Sequence, residues 1–395
     1  MPIESARIFN DIETIAGFSE TTPDLGCSRP TFSPPWRAAR DYVISKAEAA
    51  GCKVRIDAAG NVYARHASIG WDEKVWLSGS HIDSVPTGGK FDGVMGIVCP
   101  LEVLRSGILP LELVIWAEEE GTTFGLGMIG SRLATGAETT ASIAPFKNRD
   151  GKTFVEAGEP HGVRTNDIPS DRLRFDGYHG LIEIHAEQGP AMWETGAAVA
   201  VVTAIAGRRQ YKGKFMGTPN HAGSTPMRYR ADPLVALARV ITGVDAIARN
   251  SGPSTVATVG RVECLPNAVN VIPGTVRFTI DLRSSDSVTL AACNEEIEQL
   301  VISSGASAFN FTCTENQPPV PMDQHLCKLL VNAGDGMGQT TSGALHDAAI
   351  LAPHLPTAML FVASKDGISH NPAEFSRIED IAAAARVLEK LVTGS

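Results

Sequence analysis

The sequence predicts an α/β protein with a smaller α+β domain inserted into it. Three observations carry this expectation. Apolar, strand-like runs alternate with helix-like segments toward both ends of the chain. Between them, residues 208–318 read strand, helix, strand, strand, helix, strand, the order of a ferredoxin-like split unit. Side chains suited to metal chelation stand at or just beyond the apolar runs, and open α/β sheets build their sites at the carboxyl ends of strands. The expected domains are residues 1–207, 208–318 and 319–395, the first and last forming one metal-binding catalytic layer.

A helix-like first segment leads into residues 27–35, a loop rich in Pro, Ser and Thr. Ser33 then offers an N-cap and Pro34 suits the first helical position, so a helix is expected to about Ala50. KVRIDAAGNVYAR reads as a hairpin turning at Gly60-Asn61, and KVWLSGSHID as an apolar strand. Glycine-dense TGGKFDGVMG leads into a helix near residues 97–105, and ELVIWAEEEG is the next strand. Residues 135–176 are polar and broken, the pattern of surface excursions; LIEIHAEQG and AAVAVVTAIAG are strands again. In the middle domain RQYKGKFMGT, TVATVGRVEC, TVRFTIDLRS and AFNFTCTENQ are strands, with helices at PLVALARVITGVDAIAR and TLAACNEEIEQLVISSG. QHLCKLLVNAG and the amphipathic IEDIAAAARVLEKLV are helices on either side of the strand AMLFVAS.

Composition narrows the function classes. The 395 residues are 43% hydrophobic and 20% charged, an ordinary globular balance able to bury more than one core. A net charge of −10 without any Lys/Arg run speaks against nucleic acid or an anionic membrane as partner. The first residues lack a basic stretch followed by an apolar core, so no secretory signal is expected, and no run is long enough to span a bilayer. Seven scattered cysteines without a C-x-x-C argue against a disulfide framework or a thiolate zinc site; most are expected as small core residues in a reducing cytoplasm.

Five side chains make the chain read as a metallohydrolase: His81 and Asp92 in GSHIDSVPTGGKFDG, Glu120 in LVIWAEEEG, His185 in LIEIHAEQG and His370 in DGISHNPAE. Three imidazoles and two carboxylates hold two divalent ions if one carboxylate bridges. Asp83 follows His81 by two residues and supplies a carboxylate to hold the second imidazole nitrogen. Asp92 stands among Gly88, Gly89 and Gly93, where the backbone can turn sharply. Alone, His81 reads as a structural histidine, Asp92 as a turn residue and His370 as an idle loop histidine; together they read as ligands. Glu118, Glu119 and Glu120 close a strand whose neighbours point to opposite faces, so Gly121 must release the chain if Glu119 and Glu120 are to converge, one as ligand and one as general base. Otherwise they are a solvated acidic turn. His185 shares a strand face with Glu183 and Glu187 rather than with apolar neighbours, which favours a ligand. Arg230 and Asp232 read as a structural pair, and His66, His161, His179, His325 and His354 as surface or structural histidines.

Together GSHIDSVPTGGKFDG, the EEG after a strand, HAEQGP, HAGSTPM, NVIPG followed by DLR, SGALHDA and GISHNPAE resemble the M20-type metallohydrolases. More narrowly they resemble the carbamoylase branch: N-carbamoyl-L-amino-acid hydrolases, β-ureidopropionases and allantoate amidohydrolases. The resemblance runs from about residue 55 to 375 in family order. It implies a metallopeptidase-like catalytic domain with a mixed central sheet and an inserted ferredoxin-like dimerisation (lid) domain. It implies that Asp92 bridges two ions, one also held by His81 and His185, the other by Glu120 and His370, with Glu119 as general base. Gln188 matches a residue that contacts the ureido or amide end of the substrate. His221 and Asn270 match second-domain residues that reach the substrate from the partner subunit of a homodimer, His221 as oxyanion stabiliser. Arg283 matches a clamp for a substrate carboxylate, and His346 and Asp347 look like site-supporting residues. One departure stands out: relatives commonly carry EEGxRF where this chain has Thr123, which alters the pocket.

The implied reaction is hydrolysis of a linear C–N bond in an N-carbamoyl-L-amino acid or similar ureido acid, by water that two ions acidify and Glu119 deprotonates. The all-N/O ligand set is compatible with zinc, manganese, cobalt or nickel. Alternatives are an allantoate amidohydrolase, an M20 aminoacylase or peptidase acting on N-acyl amino acids and, outside enzymes, a degenerate relative that only binds an amino-acid-like ligand. The presence of every ligand and of the base argues against the last.

Overall fold

The computed structural model describes residues 2–394. Its strands, in chain order, are β1 (Cys52–Ile56), β2 (Val62–His66), β3 (Val75–His81), β4 (Leu111–Trp116), β5 (Tyr178–Ala186), β6 (Val199–Ile205), β7 (Gly207–Met216), β8 (Asn220–His221), β9 (Thr255–Leu265), β10 (Val271–Ile272), β11 (Thr275–Ser284), β12 (Ala308–Gln317), β13 (Val320–Pro321), β14 (Gln339–Ser342) and β15 (Thr357–Val362). The chain divides into two compact units, one of residues 1–203, 322–340 and 346–395, the other of residues 204–321 and 341–345. Among the described residues no helix is long and apolar enough to cross a membrane, and the seven cysteines are free, five of them buried.

In the first unit Ser33 caps the helix Pro34–Ala49 by accepting the Trp36 N–H, with proline at the start of the helix where its missing donor is not needed. β1 and β2 form an antiparallel hairpin through Gly60, whose φ of 88° is open to glycine and strained for other residues. The sheet runs β1-β2-β4-β3-β5-β15-β6. β3 pairs in parallel with β4 and β5, and β5 in parallel with β15; the β1-β2-β4 side and the β15-β6 pair are antiparallel, so the sheet is mixed. Every residue of β3, β4 and β15 is buried, and β4 and β15 are accordingly nearly continuous apolar runs, while β3 turns from apolar to small and polar residues as it nears His81. The helix Val94–Ser106 lies against β3, β4 and β5, and the helix Ile378–Thr393 packs on it. Gly96 permits that approach, since a Cβ there would stand 2.5 Å from Ser80 Cβ and from the Ile184 carbonyl oxygen. Because β3, β4, β5 and β15 run the same way, their carboxyl ends open along one edge of the sheet.

The second unit holds a four-stranded antiparallel sheet in the order β12-β7-β11-β9. Along β11 the side chains Val276, Phe278, Ile280 and Leu282 alternate inward, against Leu237, Val240, Leu290 and Ile297 of two helices, Pro233–Asn250 and Ser287–Ile302. Asp232 and Asp286 cap those helices. Arg230 does not pair with Asp232 as the sequence led us to expect. It donates to the Thr225 and Ala222 carbonyls and so braces the turn after His221.

Candidate metal centre

His81 ends β3, buried, with Nδ1 2.9 Å from the main-chain carbonyl of Asp83. That bond fixes the proton on Nδ1 and leaves Nε2 as a lone-pair donor. The Asp83 carboxylate, expected to play this part, is 3.8 Å away and instead accepts the Glu120 N–H at 3.1 Å. His185, near the end of β5, gives its Nδ1 to the Ala186 carbonyl at 3.1 Å, again freeing Nε2. Gly93 at φ 65° opens the next helix; a Cβ there would fall 2.5 Å from the His81 ring, so the loop carrying Asp92 needs glycine at this point.

Asp92 lies between two sets of candidate ligands. Its Oδ1 is 3.1 Å from His185 Nε2 and 3.8 Å from His81 Nε2. Its Oδ2 is 3.2 Å from His370 Nε2, which in turn is 3.6 Å from Glu120. His81, Asp92 and His185 thus offer three donor atoms within 4.8 Å of one another, and so do Asp92, Glu120 and His370. Glu119 stands 3.7 Å from His81 Nε2. His81 Nε2 and Glu120 Oε1 are buried without a hydrogen-bond partner, and a divalent cation in each group would satisfy both atoms. The residues present fit metal ions.

The two glutamates converge because the chain leaves strand geometry at Glu118, three residues before Gly121. Glu118 takes φ 60°, and its buried side chain accepts the Thr123 and Phe124 N–H groups at 2.9 Å each. Gln188 and His370 are also left-handed, at φ 56° and 54°. Strain of this kind gathers where surrounding contacts over-determine a working geometry.

Electrostatics follow from crowding carboxyls in a dry place. Burial pushes His81 down to about 4, which keeps it neutral. Burial also opposes charge on His185, but the hydrogen bond and charge of Asp92 prevail and carry it up to about 9. His370, bonded to Asp92, likewise rises to about 9. These imidazoles outweigh burial at Asp92 and hold it well below the ordinary carboxylate range. Burial and then neighbouring carboxylates lift Glu120 to about 8 and Glu119 well above its usual value. Cations among these groups would reverse the logic, favouring ionised carboxylates and neutral imidazoles.

In the second unit His221 and Asn270 sit side by side: β8 pairs with β10 so that Val271 faces His221, and the Asn270 carbonyl accepts the Ala222 N–H. His221 is exposed, its Nδ1 accepting the Gly223 and Ser224 N–H groups. Arg283, at the end of β11, donates to Asp281 at 2.8 and 3.4 Å and to the Gly343 carbonyl. Thr123 accepts the Thr31 N–H and lines, with Thr31, Phe32, Pro86 and His161, a cavity of about 620 Å³.

With this geometry established, comparison with known proteins decides the lineage. The profile of Peptidase family M20/M25/M40 matches residues 77–394. The chain belongs to that family. It is 35% identical over 384 residues to an N-carbamoyl-L-amino acid amidohydrolase of Geobacillus stearothermophilus, covering 93% of this chain and 92% of that one. It is 34% identical over 380 residues to an allantoate amidohydrolase of Escherichia coli strain K12, with the same coverage. Among solved structures, a hydantoinase/carbamoylase family amidase from Burkholderia multivorans superimposes with a TM-score of 0.92 at 34% identity, covering 99% of this chain and 98% of that one.

This M20/M25/M40 member also holds a buried carboxylate, Glu374, that had no role assigned from the sequence, beside residues that were named there. Glu374, in the quoted GISHNPAE, accepts the Phe91 and Asp92 N–H groups at 2.9 and 3.1 Å. Glu183 accepts the Ser80 hydroxyl at 2.9 Å and the Ala348 N–H at 2.8 Å, joining three segments of the site. His346 is buried with its ring 4.4 Å from that of His185, and Asp347 accepts the Ser131 hydroxyl. In the sequence Glu374 stood only as the end of the His370 loop and Glu183 only as a neighbour on the His185 face, whereas His346 and Asp347 were expected to support the site from the resemblance of SGALHDA.

Proposed function

We propose that this protein hydrolyses the ureido C–N bond of an N-carbamoyl-L-amino acid or similar ureido acid at a centre of two divalent ions. The chain is a metal-dependent amidohydrolase of linear, non-peptide carbon–nitrogen bonds. The observation that carries the binuclear reading is Asp92, whose two oxygens address different imidazoles, His185 at 3.1 Å and His370 at 3.2 Å. One ion is assigned to His81, Asp92 and His185, the other to Asp92, Glu120 and His370, drawn from zinc, manganese, cobalt or nickel. Ions held there would polarise the substrate carbonyl and lower the pKa of water.

Glu119 takes the proton of the attacking water and hands it to the leaving nitrogen. Its carboxylate stands 3.7 Å from His81 Nε2, beside both groups of metal donors, where a water held by the ions would lie within its reach. One water adds and the C–N bond breaks; the amino acid leaves as its amine, and the carbamoyl carbon as carbon dioxide with ammonia. Gln188 faces the ureido end, Arg283 clamps the carboxylate with a planar, always-charged fork, and His221 steadies the developing oxyanion beside Asn270.

His221 and Asn270 are assigned to the partner subunit of a homodimer. Support for pairing comes from the second unit, where edge strand β9 leaves Val256, Val262 and Leu265 exposed and the helix Pro233–Asn250 leaves Leu234, Val235 and Ile241 exposed. Free cysteines suit a reducing cytoplasm.

The test is a panel of N-carbamoyl, N-formyl and N-acetyl L-amino acids plus allantoate, assayed with manganese, cobalt or zinc. Ammonia released together with an L-amino acid from the N-carbamoyl compounds is the expected outcome. Turnover confined to N-acetyl substrates would sink the ureido reading, and turnover confined to allantoate would move it to that relative's substrate.

A further inference from the structure

The loop bearing Asp92 and the loop bearing His370 are far apart in sequence, yet both must be placed within a fraction of an ångström if the ions are to be held. One buried carboxylate joins them. Glu374 is 4% exposed and follows His370 by four residues. Its Oε2 accepts the consecutive main-chain N–H groups of Phe91 and Asp92, at 2.9 and 3.1 Å. Its Oε1 accepts the Ser369 hydroxyl at 3.1 Å. Ser369 Oγ also accepts from Gln188 Nε2 at 3.0 Å, and the same amide nitrogen donates to Asp92 Oδ2 at 3.2 Å. The bonds close a ring: Asp92 carboxylate, Gln188, Ser369, Glu374, and back to the Asp92 main chain.

Local backbone chemistry is arranged around this carboxylate. A Cβ on Gly89 would lie 2.1 Å from Glu374 Oε2, so the loop carries glycine where the carboxylate enters. His370 is held at φ 54°, a conformation its own side chain does not favour, next to the Ser369 that Glu374 grips.

We propose that Glu374 is a positioning residue that sets the spacing of Asp92 and His370 and thereby governs one metal position, the group of Asp92, Glu120 and His370, more than the other. The first position keeps His81 and His185, each oriented by its own main-chain carbonyl and neither bonded to Glu374. The second depends on His370, half exposed on a strained loop, for which the ring is the tether. This inference rests on the two-ion reading.

The test is titration of metal-stripped, full-length protein with cobalt(II) in competition with a chromophoric chelator, counting ions and their two affinities. Glu374→Ala should weaken the second ion by about 10–100-fold and leave the first within a few-fold. Glu374→Gln, whose remaining oxygen can still accept both N–H groups, should retain most of the second affinity. Ser369→Ala removes the other side of the tether and leaves both Glu374 bonds to the Asp92 main chain in place, and should also weaken the second ion selectively, so the proposal stays testable if Glu374→Ala does not fold. Two tightly held ions in both alanine variants, or equal weakening at both positions, would overturn it. A wild-type protein that binds a single ion would instead overturn the two-ion reading itself.

Discussion

A regular strand cannot turn two successive side chains to one side, yet Glu119 and Glu120 both approach His81 Nε2 within 4.8 Å. The left-handed Glu118 resolves the conflict, at a strain of about 1–3 kcal/mol that its two main-chain hydrogen bonds help to hold. Both glutamates group with His81, but only Glu120 also groups with Asp92 and His370, and the proposed division into ligand and base rests on that difference. Substituting Glu119 with Gln keeps the shape and removes the base. Turnover should fall by roughly 10²–10⁴-fold while metal analysis still finds the wild-type ion content. Near-normal turnover would contradict the role of base, and loss of an ion would make Glu119 a ligand. The EEG triplet announced this site in the sequence as a need for irregularity at Gly121, which does take φ 69°, but the departure begins earlier, at Glu118. Glycine is the usual signal for positive φ, so a glutamate adopting it leaves no trace in the residue order.

Among elements, the parallel strands did most of the placing. His81, the Glu118–Glu120 turn, His185 and the loop to His370 stand at or just beyond the carboxyl ends of β3, β4, β5 and β15, and these were readable because each apolar run ends in polar residues. What joins those ends was not readable. Glu374 and Glu183 act through hydrogen bonds to segments remote in sequence, and no local pattern encodes such a bond. The polar face of β5 held more than the candidate ligand it was read to carry: Glu183 on it is fully buried beside His185. His161, read from sequence as surface or structural, shows what tertiary packing adds. It stacks on Phe32 at 5.2 Å and meets Trp36 edge-on, joining an aromatic cluster with Phe124 and Phe154. Burial, then the nearby Arg40 and Arg37, lower its pKa from 6.5. The folded chain therefore binds this proton less tightly than the unfolded one. Its contribution is complete above about pH 6.5 and is lost as pH falls through the lowered value. His161→Gln should accordingly show a smaller drop in melting temperature than wild type between about pH 7.5 and about pH 5.5. Parallel curves for the two proteins would remove His161 from the acid sensitivity of this cluster.

For the whole molecule, the decisive question is which chain supplies His221. Large apolar side chains left exposed among the described residues fall mainly in the second unit, on β9, on the helix Pro233–Asn250 and around Met227 and Tyr229. A symmetric pair burying that surface presents each residue of one copy to the other copy. If His221 then serves the partner's metal centre, two inactive variants repair one another. Protein carrying Glu119→Gln lacks the base but keeps its histidine; protein carrying His221→Ala keeps the base. In a mixed dimer one of the two centres regains both groups, so random exchange of equal amounts should restore about a quarter of wild-type activity. Within a single chain no such centre can form, because every subunit lacks one group or the other. Recovery on mixing therefore identifies His221 as a residue supplied in trans. Inactivity after demonstrated subunit exchange would return it to its own chain or remove it from the reaction, and the single variants, each with its ions still bound, would show which.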